Sequence, residues 1–129
     1  MSKFFQVLVV LFSALFFSSA FAQTQVDAQA EAQAFLQDLQ AKVTLTTQQQ
    51  DQMKKIMTDS INQREMVISS YQGQSGMMVK KNIRDDLEGV NAKTQTEVQN
   101  VLNEEQYKAF LQVQEVRQQK LKDRINSEF

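Results

Sequence analysis

Apolar residues recur at spacings of three and four along most of the chain from residue 28 onward, which is the pattern of helices with one buried face. In the first of these stretches Phe35, Leu36 and Leu39 share a stripe. The same periodicity continues through three longer stretches, each of which can bury one face and leave the other in water. The pattern predicts four α-helices, over residues 28–42, 47–70, 77–101 and 104–125.

Breaks in this pattern are few, and the clearest is the polar segment 71–76. It contains Gly73 and Gly76, which can adopt the positive φ values that tight turns need. The chain has no Pro at all, as expected for long uninterrupted helices. Two helices of similar length joined by a short glycine turn predict an antiparallel hairpin at the centre of the fold. The predicted fold class is therefore all-α, an elongated four-helix protomer forming a single domain over residues 23–129.

The first 22 residues have a different pattern. Lys3 precedes an apolar run over residues 4–17, and the small residues Ala20 and Ala22 flank Phe21 before a polar stretch begins. This layout is typical of a secretory signal peptide cleaved after Ala22. An uncleaved membrane anchor is the alternative, but the strongly apolar core of 11 residues, 7–17, is shorter than the ~20 that a span requires. We expect an exported protein that resides in the periplasm.

The amino-acid composition predicts a small hydrophobic core. Leu, Ile, Val and Phe together make up 24 of the 107 residues that follow Ala22, about 22%. Chains below about 20% tend to be disordered, particularly when their net charge is high. The charge here is close to neutral, so one small domain can fold. A thin helical core favours an elongated shape or a partner that completes it, and we expect a homodimer.

Several residue types that carry chemistry are missing. The chain has no Cys and no His, which removes thiol nucleophiles, disulfides, the commonest transition-metal ligand and the usual general base. The acidic group Asp85, Asp86 and Glu88 points in different directions on a helix and lies among basic neighbours, which indicates a solvated face. Ser69 and Ser70 have no activating base. A net charge of −1 offers no footprint for nucleic acid. We expect no enzyme activity, no cofactor and no metal site.

Two helix starts repeat one motif. Leu45 and Thr46 are followed by Gln49, and Leu102 and Asn103 are followed by Gln106, with the two copies 57 residues apart. In such a capping box the Thr or Asn side chain accepts a hydrogen bond from a free backbone N–H of the first helical turn. The Gln three residues later reaches back to the N-cap amide. Each box predicts a helix beginning at the next residue, and its role is structural.

Two such boxes behind a signal peptide resemble the LTxxQ-motif periplasmic family, which includes the Spy/CpxP-like envelope stress proteins. The likeness in sequence is carried by the boxes and by the stretch 102–110. It implies a four-helix protomer that dimerises through antiparallel helices into a curved cradle. Members of this family act as ATP-independent chaperones or as modulators of a sensor kinase. Some relatives bind metal through His, which this chain lacks, and it also lacks the basic excess that would attract acidic clients.

Methionines concentrate around the central hairpin, at Met53, Met57, Met66, Met77 and Met78. Met is flexible and polarizable and suits surfaces that bind many partners, so Met53, Met57, Met77 and Met78 are candidate client-contact residues. Ordinary gap-filling in the core is the alternative. Met77 and Met78, beside the turn, are the better candidates for an exposed contact.

Two functional hypotheses follow. In the first, the protein holds apolar segments of unfolded or misassembled envelope proteins without nucleotide. In the second, it is a regulatory or structural protein that binds one dedicated envelope partner. The sequence supports both and does not separate them.

Overall fold

A computed structural model describes residues 27–129, and in this part of the chain every regular element is an α-helix. The helices are α1 (Ala28–Gln40), α2 (Thr47–Ser70), α3 (Met77–Gln99) and α4 (Glu104–Glu128). The all-α prediction is confirmed. The predicted signal peptide, residues 1–22, lies outside the described residues. Within residues 27–129 no helix is both long and apolar enough to cross a bilayer.

Side-chain caps explain where three of the four helices begin. The Ala30 N–H donates to Asp27 Oδ1 at 3.1 Å at the start of α1, and complete capping boxes open α2 and α4. Helix α3 has no side-chain cap. Its N-cap is Gly76, whose φ of 113° is one that residues other than glycine rarely adopt, and the Gly76 N–H donates to the carbonyl oxygen of Phe129 at 3.1 Å. The start of α3 is thus held by the end of α4.

The four helices form a ring in which each helix packs against its neighbours along the chain, and α4 closes the ring on α1. Helices α2 and α3 form the predicted antiparallel hairpin. Tyr71 reaches Asp86 near the turn, while Ser60 bonds Thr94 further away from it. Contacts of α4 with α1 and with α3 are equally sparse, and both are sparser than those within the α1–α2 and α2–α3 pairs. The ring is therefore less closed on both sides of α4.

The buried apolar residues form two separate clusters along the bundle. The larger cluster lies near the α1–α2 and α3–α4 loops and includes Leu39, Met53 and Phe110, all at or near 0% exposure. The smaller cluster lies near the α2–α3 turn and is built from Ile68, Ile83, Leu87 and Ile125. The low content of large apolar residues thus yields two small hydrophobic cores. The middle of the bundle, between them, contains polar side chains.

Candidate functional site

The two capping boxes meet in space and bond to each other. Gln49 Nε2 donates to Gln106 Oε1 at 2.9 Å, and Gln106 Nε2 donates to Gln49 Oε1 at 3.1 Å. Each Oε1 also accepts from the backbone N–H of its own N-cap, Thr46 or Asn103. A pair of side-chain amides, 57 positions apart in sequence, joins the start of α2 to the start of α4.

The remaining bonds of this amide pair follow the same symmetry. Gln49 Nε2 donates to the Val101 carbonyl at 3.1 Å, and Gln106 Nε2 donates to the Thr44 carbonyl at 2.8 Å. Both carbonyls belong to the residue two positions before the opposite N-cap. Every donor and acceptor of the two amides is therefore used, as expected for polar groups that are at least partly buried.

The hydrogen bonds of one box are thus repeated by the other around the Gln49–Gln106 pair. Leu45 and Leu102, which precede the two N-caps, are both buried in the larger cluster. Sequence analysis predicted two separate caps and missed their contact. The signal was present in the repetition of the motif, because two identical polar groups that need partners can satisfy each other.

A second feature is an open groove of about 750 Å³ between the first half of α3 and the second half of α4. Leu87, Leu121 and Ile125 form its apolar floor. The bond from Gln95 Nε2 to Gln114 Oε1, at 2.9 Å, joins α3 to α4 on the side toward their connecting loop. The contact between Gly76 and Phe129 joins them at the opposite side. The groove is thus a gap between two helices that are fastened at both ends.

The rim of the groove carries charges of both signs. Lys81, Arg84 and Lys122 supply three cations, and Asp85 and Glu88 supply two carboxylates. Lys81 Nζ donates to Asp85 Oδ2 at 3.0 Å across one turn of α3. The charge of the rim is thus nearly balanced.

The candidate methionines separate into two groups. Met53 is 0% and Met57 is 6% exposed, so both are core residues and present almost no surface to a client. Their burial follows from their positions on the stripe that also carries Ile61. Met77 and Met78 are 87% and 70% exposed and line the groove. Only these two remain as candidate contact residues.

Between the two apolar clusters lies an ionic network that connects α1, α2 and α4. Both terminal nitrogens of Arg64 donate to the carboxylate of Glu31, at 2.7 and 2.8 Å. Arg124 makes the same two-bond contact with Glu65, at 2.8 and 3.1 Å. Arg64 also donates to Glu65 at 2.7 Å. Two-bond pairs of this kind fix orientation as well as charge.

Burial and ion pairing shift the pKa values of this network in opposite directions. Burial disfavours the charged form of Glu65, but hydrogen bonds from Arg124 and Arg64 outweigh it, so the pKa of Glu65 is lowered. Burial likewise opposes the charge on Arg64, and the bonds to Glu31 and Glu65 nevertheless raise its pKa. Bonding to Glu65 is the main cause of the raised pKa of Arg124. The charged network is the stable form at neutral pH.

A cavity of about 60 Å³ lies beside this network, where the two apolar clusters fail to meet. Its wall includes Phe35 and Met57 from one cluster and Leu87 from the other. Leu87 and Leu121 line both this cavity and the groove. The groove and the cavity are therefore adjacent.

The remaining polar candidates are engaged in local bonds. The Tyr71 hydroxyl donates to Asp86 at 2.6 Å, and this bond raises the pKa of Tyr71. The Ser70 hydroxyl donates to the Val67 carbonyl. Among residues 27–129, no three acidic side chains converge in a way that could hold a metal ion.

Comparison of the chain with protein-family models, with curated proteins and with solved structures finds no match.

Proposed function

We propose that this protein is an exported, periplasmic binding protein that holds apolar segments of unfolded or misassembled envelope proteins without using nucleotide. The observation that carries this proposal is the groove between α3 and α4, with its apolar floor and its two exposed methionines. The N-terminal pattern supports export, and the paired capping boxes support the resemblance to the LTxxQ-motif family.

The groove has the properties that an unselective binder needs. An exposed methionine has three rotatable side-chain bonds and can repack around clients of different shape. The groove volume admits only a few client side chains. Each contributes about 1.5–3 kcal/mol on burial, and the cost of ordering the bound segment offsets part of this. Binding should be weak and reversible, which suits temporary protection.

The direct test is suppression of aggregation. The purified mature protein should suppress the aggregation of chemically denatured clients at near-stoichiometric ratio, measured by light scattering. The double variant Met77→Glu, Met78→Glu should lose most of this activity because it places charges at the apolar rim. Met66→Glu is the matched control, since Met66 is 72% exposed but lies on α2 outside the groove.

Three results would count against the proposal. The first is a lack of suppression across several clients. The second is equal loss of activity in the Met66 control and the groove variant, which would indicate a general charge effect. The third is full activity of the groove variant, which would place binding elsewhere on the molecule.

The mixed charge of the groove rim favours a second candidate function, the binding of one dedicated envelope partner. Alternating cations and carboxylates can pair with a complementary pattern on a specific folded surface and so provide specificity. A photo-crosslinking amino acid placed at position 78 in cells separates the two functions. Crosslinks to many unfolded proteins support chaperoning, and a single folded protein supports regulation.

We also propose that the protomer forms a homodimer through antiparallel helices, giving the cradle that the family resemblance implies. The two small clusters leave the protomer with little buried apolar surface, and Val116 on α4 is 60% exposed. Sedimentation equilibrium should give twice the protomer mass, and a monomer at every concentration would exclude the cradle.

A further inference from the structure

The groove exposes two methionine sulfurs that oxidants in solution can reach. The sequence has no Cys, no His and no Trp, so two-electron oxidants have few targets other than methionine sulfur. Among residues 27–129 the exposed methionines are Met66, Met77 and Met78, whereas Met53 and Met57 are buried. Reactivity toward an oxidant in solution follows exposure, and two of the three exposed thioethers lie at one site.

We infer that Met77 and Met78 form an oxidation site through which peroxides regulate binding in the α3–α4 groove. This inference rests on the proposed function, because it concerns the regulation of the same groove. It assigns a modification to these residues, methionine sulfoxide, and it assigns the direction of the effect, which is release of the bound client.

The chemical step is a transfer of one oxygen atom. The thioether sulfur attacks one oxygen of a hydroperoxide such as hydrogen peroxide, a sulfur–oxygen bond forms and the oxygen–oxygen bond breaks. The second oxygen takes up the proton that the transferred oxygen loses, and it leaves as water from hydrogen peroxide or as an alcohol from an alkyl hydroperoxide. The sulfur loses two electrons and the peroxide gains them, so the step needs no further reactant and no protein base.

Oxidation would change the groove because a sulfoxide is polar and accepts hydrogen bonds, whereas a thioether is apolar. An apolar client that covered the sulfoxides would remove them from water without offering a donor in return, which is unfavourable. Lys81 lies four residues after Met77 on the same face of α3, and both line the groove. Its ammonium group can donate to a sulfoxide at position 77 and favour the polar, client-free rim.

The buried methionines make the proposed response selective. Met53 is completely buried in the larger cluster and Met57 nearly so, and a sulfoxide at either would disrupt the core. Because the fold shields them, an oxidant that modifies Met77 and Met78 leaves the folded state intact. Methionine sulfoxide reductases reverse the modification, so the response can be switched back.

The test uses the mature protein, treated under native conditions with hydrogen peroxide and then freed of oxidant. Peptide mapping by mass spectrometry should find sulfoxide at Met77 and Met78 before Met53 and Met57. Binding is measured by fluorescence anisotropy with a labelled, reduced and carboxymethylated lysozyme, which cannot refold. Oxidation should weaken the affinity of the wild-type protein about tenfold, through the cost of covering two polar groups. Treatment with reductase should restore it.

Two variants assign the effect to the groove. The double variant Met77→Leu, Met78→Leu keeps the rim apolar and cannot form sulfoxides, so its affinity should be the same before and after peroxide. Met66→Leu removes the exposed methionine outside the groove and should respond as the wild type does. Circular dichroism of each oxidised sample checks that the helices persist.

The inference is overturned if peroxide leaves wild-type binding unchanged, or if it weakens the Met77→Leu, Met78→Leu variant as much as the wild type. Oxidation of Met53 or Met57 ahead of Met77 and Met78 would also overturn it. If the untreated protein binds no unfolded lysozyme and suppresses no aggregation, the proposed function fails and the regulatory inference is rejected with it. Binding by untreated protein that survives oxidation rejects the inference alone.

Discussion

At the scale of single residues, the most informative contact is the amide pair formed by Gln49 and Gln106. A capping box alone satisfies two free amides at one helix start. Here each glutamine has a second set of partners on the other box, including the Val101 and Thr44 carbonyls. Two local motifs have become one tertiary contact, so the loss of either glutamine leaves polar groups of both boxes unpaired.

We predict that Gln49→Ala and Gln106→Ala each lower the free energy of unfolding by roughly 1–3 kcal/mol, because partially buried partners lose their hydrogen bonds. The double variant should cost less than the sum of the two, since the amides share bonds. Urea denaturation followed by circular dichroism measures all three. Gln112→Ala, on the exposed face of α4, should change stability by no more than about 0.5 kcal/mol. Strict additivity in the double variant would refute the coupling.

The ionic network predicts a loss of stability in acid. The pKa of Glu65 is lowered in the folded state, so its contribution is present above the unfolded value of about 4.3. That contribution is lost as the pH falls from there through the folded pKa. Glu65→Gln should cost on the order of 1 kcal/mol at pH 7 and should flatten the decline in acid, measured by denaturation across pH. Asp85→Asn, in an exposed pair with Lys81, should leave the profile nearly unchanged.

At the scale of helices, α3 differs from its neighbours at both its start and its middle. It begins without a side-chain cap, at a glycine with positive φ. It also contains Gly89, which has helical backbone and open space where a Cβ would stand. Replacing Gly76 should therefore lower stability and replacing Gly89 should raise it. In the sequence alone, both are simply residues of low helix propensity.

We predict that Gly89→Ala stabilises the protein by about 0.5–1 kcal/mol, because alanine restricts the unfolded chain and fits the helix. Gly76→Ala should destabilise it by about 1 kcal/mol or more, since a side chain strains the backbone at this φ. Thermal unfolding of the two variants in parallel should move the midpoint in opposite directions. A shift in the same direction for both would contradict the assigned backbone conformations.

Sequence reasoning succeeded for the helices because their information is local. The apolar stripe and the caps at Thr46 and Asn103 lie within a few residues of the helix starts that they specify. It could not supply the pairing of Arg64 with Glu31 or the groove, because both depend on how the helices are rotated against each other. The burial of the methionines was only partly predictable from the sequence. Met53 and Met57 lie on the same apolar stripe as Ile61, whereas Met66 does not.

At the scale of the whole molecule, the two apolar clusters are unequal. The larger cluster contains residues from all four helices and from the two loops that precede the capping boxes. The smaller cluster has only four buried residues. Stability within a protein is not uniform, and regions with few buried apolar contacts open at lower free energy. The end near the α2–α3 turn, which includes the groove, should open more readily than the end with the boxes.

Native-state hydrogen exchange measures this difference. Amides near Leu39, Met53 and Phe110 should exchange only through global unfolding. Amides around Ile83 and Ile125 should exchange faster, through partial opening. Gln106→Ala should reduce the contrast by weakening the more stable end. Uniform protection along α3 and α4 would show that the two clusters unfold as one unit.

The position of the paired glutamines has a mechanical consequence. They fix α2 to α4 at the end of the bundle that contains the larger cluster. The groove between α3 and α4 lies nearer the other end, where the hydrogen bond from the Gly76 N–H to the Phe129 carbonyl joins the two helices. When that bond breaks, the two helices are free to separate there while the paired glutamines and the larger cluster hold the rest of the bundle together, so the width of the groove is adjustable.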